Sequence, residues 1–79
     1  MPKLKRLSGE EVIATFVQFG FMVQAQRGSH VKLRRMISSG HQTLTIPKHR
    51  ELDVGTLRAI IRQASRFIPE EQLHPKFFS

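Results

Sequence analysis

The fold is decided by residues 21–47, FMVQAQRGSHVKLRRMISSGHQTLTIP, in which polar and apolar residues alternate in three short runs. Alternation with a period of two is typical of strands that bury one face. The runs are separated by Gly28-Ser29 and by residues 38–41, whose residue types favour tight turns, and Pro47 ends the third run. We therefore predict a three-stranded antiparallel meander over residues 21–27, 30–37 and 42–46.

A helix is predicted on each side of this meander. Before it, Ser8 and Glu11 have the spacing of a capping box, and Gly20 is placed to end the helix. After it, Asp53 can cap a second helix, whose apolar stripe would be Leu57, Ile60, Ile61 and Ala64. A further short helical turn is expected at residues 68–71.

The order of elements predicts an α+β fold, αβββα, with two helices packed on one face of the sheet. We expect one domain over residues 1–79, with a core at about 5–73 and a tail at 74–79 in which Phe77 and Phe78 have no assigned position. The other face of the sheet is expected to be open and polar, carrying Gln24, Gln26, His30, Lys32, Arg34, Thr43 and Thr45.

Charge points to a partner that carries phosphates. Thirteen Lys and Arg residues against six Asp and Glu give a net charge of +7, and no carboxylate lies between Val12 and Arg50. Charge alone does not separate RNA from DNA or an anionic membrane. The chain has no cysteine and no apolar run long enough to span a bilayer, so we expect a cytoplasmic protein without a membrane partner.

The acidic residues indicate helix starts rather than a metal site. All six lie where a helix N-terminus is predicted, and there negative charge is favoured: Glu10, Glu11, Glu51, Asp53, Glu70 and Glu71. The four histidines lack the spacing of a helical metal pair, and a serine triad would lack a carboxylate to orient its base. We expect no metal and no cofactor.

Histidine is the remaining candidate for acid–base chemistry, because both of its protonation states are accessible near neutral pH. His41 is expected in a turn and His74 in the tail, both as surface residues. His49 lies between two basic residues, and it could bind phosphate or have a structural role. His30 starts a strand on the same face as Lys32. The pattern alone leaves it equally consistent with an ordinary exposed strand residue.

Three blocks of the sequence resemble the successive signatures of the HicA toxins, also called the YcfA-like family. They are QRGSH at residues 26–30, TIPKH at 45–49 and GTLRAIIRQA at 55–64. Their order and spacing are similar to the family over roughly residues 5–73. The resemblance implies a fold like the double-stranded RNA-binding domain, cleavage of mRNA, and inactivation by a HicB-type antitoxin.

The resemblance also implies that His30 is the catalytic residue of a metal-independent endoribonuclease. His30 would accept the proton of a ribose 2′-hydroxyl or protonate the leaving 5′ oxygen, while Lys32 and Arg34 stabilise the phosphoryl charge. Helix two adds a basic stripe that could contact phosphates or be solvated surface. The residues expected to bind RNA are Gly28, Ser29, Lys32, Arg34, Lys48, His49, Arg58 and Arg62.

The sequence is also consistent with other functions. A domain of this architecture could bind double-stranded RNA without cleaving it. The basic face could instead exist to meet an acidic protein partner. A helix-turn-helix is disfavoured, because a sheet separates the two predicted helices.

Overall fold

A computed structural model describes residues 2–79 of the chain. Its elements are α1 (Gly9–Gln18), β1 (Met22–Arg27), β2 (His30–Ile37), β3 (Gly40–Pro47), α2 (Val54–Ala64) and α3 (Glu70–Phe77). The α+β class and the αβββα order are confirmed, with a third helix added. Within residues 2–79, no helix is long and apolar enough to cross a membrane.

The three strands form one antiparallel sheet in the order β1-β2-β3. Two-residue turns join them, and Gly28 adopts a positive φ of 58°, a conformation that other residues rarely take. The second turn is shorter than predicted. Gly40 and His41 pair with Ile37 and Met36, so His41 belongs to β3 rather than to a turn.

A bulge in β1 changes which side chains share the open face. The register shifts between Val23 and Ala25, so Ala25 lies across from Lys32. Gln26 therefore lies across from the buried residue Val31, on the face that the helices cover. The prediction that Gln26 lies on the open face was wrong, because an extra residue in a strand reverses the alternation that follows it.

The core lies between the sheet and the helices. Val31, Leu33, Leu44 and Ile46 point from the sheet into it. The helices and the connecting segments bury Val12, Phe16, Phe21, Leu52, Leu57, Ile60, Ala64, Ile68, Leu73 and Phe77 against them. The molecule is only 18 Å thick in its shortest dimension, as one helical layer on one sheet requires.

Both predicted helix caps are present. The hydroxyl of Ser8 accepts a hydrogen bond from the backbone N–H of Glu11, whose carboxylate accepts one from the backbone N–H of Ser8. At α2, the carboxylate of Asp53 accepts from the backbone N–H of Thr56 at 2.7 Å. That hydrogen bond lowers the pKa of Asp53 below its ordinary value.

The C-terminal residues are part of the folded unit. Leu73 and Phe77 are both buried, one helical turn apart on α3, and the Phe77 ring lies 5.8 Å from that of Phe16. Beyond the helix, Ser79 and Lys3 exchange two backbone hydrogen bonds of 2.8 and 3.0 Å. A tail from residue 74 was expected from sequence, but residues 74–77 continue α3 and Phe77 is buried in the core.

One arginine of the basic middle segment serves the fold. Arg35 donates hydrogen bonds to the backbone oxygens of Phe19 and Phe67 and to the side chain of Gln42. Its guanidinium also lies 4.9 Å from the centre of the Phe21 ring. These contacts join the sheet to the segments that follow α1 and α2, so Arg35 is not free to bind a ligand.

Candidate functional site on the open face of the sheet

His30 is held at the start of β2, immediately after the Gly28-Ser29 turn. Because side chains alternate along a strand, burial of Val31 directs the neighbouring His30 to the opposite, uncovered face. The imidazole is exposed there. The alternation predicted from sequence for the start of β2 is confirmed.

Cationic side chains surround His30 on that face. Arg27 lies directly across from it in the β1–β2 register, and Lys32 is the next residue of β2 on the same side. Together with Ala25 and Thr45 they line a depression of about 350 Å³. A phosphate group in this depression would meet two positive charges beside one imidazole.

Arg27 was missed as a site residue by sequence reasoning. The sequence did contain a signal for Arg27, because a two-residue turn places the residue before it opposite the residue after it in the strand pair. Gly28 and Ser29 form such a turn, which puts Arg27 beside His30. The alternation of β1 alone pointed instead to the glutamines at positions 24 and 26.

Two of the sequence blocks meet at this end of the sheet. His30 pairs with Pro47, and the backbone N–H of Lys48 donates to the oxygen of Ser29 at 2.6 Å. The backbone N–H of Gly9 donates to the oxygen of His49 at 2.9 Å. The structure thus brings Gly28, Ser29, Lys48 and His49 to the end of the sheet that holds His30.

The start of α1 lies close against the same segment. A Cβ atom on Gly9 would come within 2.1 Å of the Pro47 oxygen, so only glycine allows this approach. Glu10 then forms an ion pair with Lys48, at 3.7 Å between Oε1 and Nζ. Both side chains are exposed enough that we expect the pair to contribute little to stability.

Arg34 lies further along the open face, one step beyond Lys32. It faces Met22 on β1 and Thr43 on β3. Its side chain is half-buried, and its buried Nε atom has no hydrogen-bond partner among the residues that the structure describes, 2–79. Arg34 is therefore on the predicted face but outside the depression around His30.

Arg58 and Arg62 are not brought together with His30. They are exposed on α2, which packs onto the covered face through Leu57 and Ile60. The sheet thus lies between these two arginines and the open face. Any contact they make with a ligand is separate from the depression at His30.

Metal-binding side chains do not cluster in the part of the chain that the structure describes. Over residues 2–79, no group of three His, Cys, Asp or Glu side chains could hold a metal ion. Glu11 and Asp53 are engaged in helix caps, and Glu70 and Glu71 lie in the first turn of α3.

The fold and the site define a class: a small cationic α+β protein with helices on one side of its sheet and an exposed histidine between cations on the other. Residues 9–65 match the family model described as the HicA toxin of bacterial toxin–antitoxin systems. The match covers well over half of the chain, so the protein belongs to the HicA toxin family. No curated protein and no solved structure matched the chain.

Proposed function

We propose that this toxin is a metal-independent endoribonuclease that cleaves mRNA, with His30 as its general acid or base. The observation that carries the proposal is the depression on the open face, where His30 lies beside Arg27 and Lys32. Membership in the HicA toxin family supports it. An exposed imidazole between two cations has the components needed to move a proton and to hold a phosphate.

The reaction proposed is attack by a ribose 2′-oxygen on the adjacent phosphorus. The 2′-oxygen to phosphorus bond forms and the bond from phosphorus to the 5′ oxygen breaks, leaving a 2′,3′-cyclic phosphate and a 5′-hydroxyl. His30 takes the proton from the 2′-hydroxyl or gives one to the departing 5′ oxygen, and water supplies or takes up the other proton. No metal ion is needed in either role.

Arg27 and Lys32 would bind the scissile phosphate and stabilise the charge that develops on its oxygens. They flank His30 from two directions, one across the strand pair and one along β2. Groups that are already positioned where charge develops lower the barrier without reorganising during the reaction. Arg34, also expected to bind RNA, would act further along the bound strand.

The direct test is incubation of the purified free protein with a long RNA in EDTA, beside His30→Ala. We expect fragments from the parent only, with both proteins equally folded by circular dichroism. A substrate with a single 2′-deoxy sugar at the cleavage site should stay intact, and its cleavage would rule out 2′-attack. Intact RNA with the folded parent would favour a non-catalytic module that binds double-stranded RNA.

A toxin of such a system has an antitoxin partner, and we propose that this partner is a HicB-type protein. The cationic open face would attract an acidic surface on it. Adding the purified cognate antitoxin to the cleavage assay should stop RNA cleavage. An antitoxin that binds while cleavage continues would show that it neutralises the toxin by another route.

A further inference from the structure

The open face has a second part, beyond the depression at His30. Met22 lies across from Arg34, and Met36 is the next residue of β2 on that face. The side chains of Met22 and Met36 are 73% and 71% exposed. Exposed methionines contribute little to the core, so these two side chains are accessible to a ligand.

Arg34 is the neighbour that both methionines share, across the strand pair from Met22 and two residues before Met36 on β2. Its Nε atom is shielded from solvent and has no hydrogen-bond partner among residues 2–79, so this part of the side chain lies among neighbouring atoms and does not extend into water. The three residues therefore form a low platform with two thioethers and one guanidinium. We call it the Met22–Arg34–Met36 platform.

We propose that the Met22–Arg34–Met36 platform is a subsite for one unpaired nucleobase of a single-stranded RNA. The inference rests on the proposed function and specifies its substrate. Guanidinium groups stack on base rings, and methionine sulfur makes favourable contacts with aromatic rings. A sheet surface is a common support for splayed bases, because it leaves their flat faces accessible.

Charge and continuity favour RNA over a protein as the occupant. Arg27, Lys32 and Arg34 follow one another along the open face. Over the described residues 2–79, no Asp or Glu lies in a strand, so this face offers nothing that repels phosphate. At about 3.3 Å per residue, Arg34 lies roughly 13 Å from His30, so one bound strand can reach both.

This geometry predicts a preference for unpaired RNA. In a duplex the bases are stacked and paired inside the helix, so none can lie flat on the platform. A single strand has bases free to turn toward it. The chain should therefore bind single-stranded RNA more tightly than a duplex of the same length and charge per strand.

The test is binding of a fluorescent 2′-O-methyl RNA of about 10 nucleotides, a length that one small nucleic-acid-binding surface accommodates. The methyl group blocks the attacking hydroxyl, so the full protein can be used without cleavage. Met22→Ala combined with Met36→Ala should weaken binding about 10-fold. The parent should bind an RNA of equal length with abasic sites more weakly than it binds the intact RNA. The methionine double variant should bind that abasic RNA as tightly as the parent does.

The matched control is Val17→Ala combined with Val54→Ala, which removes two exposed apolar side chains from the helices. It should leave RNA affinity unchanged. No binding by the parent, or an equal loss for base-containing and abasic RNA, would overturn the subsite. So would a methionine variant that weakens only the complex with the antitoxin. Cleavage in EDTA tests the proposed function separately, so either inference can fail alone.

Discussion

The two faces of the sheet differ, although the same strands build both. Along β2, His30 and Lys32 are exposed on one side while Val31 and Leu33 are buried on the other. The covered face has apolar side chains enclosed by three helices. The open face has cations, a histidine and two methionines, and His30, Lys32, Met22 and Met36 are exposed on it.

The comparison shows how a chain of this size separates stability from function. Seventy-nine residues provide one thin core. Alternation in the first half of β2 and at the end of β3 therefore assigns every second residue to folding and leaves the others free for a ligand. Substitutions on the covered face should therefore lower stability, and substitutions on the open face should lower activity.

The largest effect is expected at His30. His30→Ala should lower the rate of RNA cleavage by about 100- to 10,000-fold, the usual contribution of a positioned acid or base. Its free energy of unfolding should stay that of the parent, because the side chain is exposed. The measurements are cleavage of a long RNA in EDTA and urea denaturation of both proteins.

Leu33→Ala is the matched variant on the covered face of the same strand. Leu33 is fully buried, so the change should lower the free energy of unfolding by about 2–5 kcal/mol. Residual activity should scale with the folded fraction. An unfolded His30→Ala, or a Leu33→Ala that is stable yet inactive, would show that the two faces are not separate.

Phe77→Ala tests how far the covered face extends beyond the residues that match the family model. The ring is fully buried against Phe16, so its loss should cost about 3–5 kcal/mol in the free energy of unfolding. Chemical denaturation measures this. A loss of less than about 1 kcal/mol would mean that α3 is an attachment to the core and not part of it.

Arg27→Ala tests whether a cation on the open face matters more for the reaction than a cation on the helices. We expect about a 10-fold fall in kcat/KM, since Arg27 lies beside His30 but solvent screens its charge. Arg62→Ala removes the same charge from the helical layer and should change kcat/KM far less. Equal losses in the two variants would mean that net charge, and not position on the open face, governs the reaction.

The smallest effect is expected at Asp53, at the start of α2. Its pKa is lowered on folding, so its charge stabilises the fold above the unfolded value of about 3.8 and this contribution is lost as the pH falls through the folded pKa. Asp53→Asn keeps a capping acceptor without the charge. Its melting temperature should be slightly below that of the parent at pH 7 and equal at pH 2.

Much of the fold could be predicted because it depends on interactions between residues that are close in the sequence. The Ser8 capping box, the Asp53 cap and the Gly28-Ser29 turn each depend on a few neighbouring residues, and all three are present. The bulge at Gln24 could not be predicted in this way. No residue type requires it, and it depends on how β1 fits against β2 and the helices.

The part of the candidate site that depends on patterns in the sequence was also predicted. His30 and Lys32 follow from alternation along one strand, and Ser29 and Lys48 lie near them because two blocks of sequence come together. The position of Arg34 on the open face was predicted, but its partial burial depends on side chains of neighbouring strands. Phe77 could not be placed, because its partner Phe16 is distant in the sequence.

The backbone pairing of Lys3 with Ser79 predicts the order in which parts of the fold form. The β2–β3 hairpin closes a short loop, whereas joining Lys3 to Ser79 closes a much longer loop and carries a larger entropic cost. We therefore expect the hairpin to form early and the terminal pairing last. In native-state hydrogen exchange, the amides of Lys3 and Ser79 should open in brief local fluctuations, while that of Leu33 exchanges only on global unfolding.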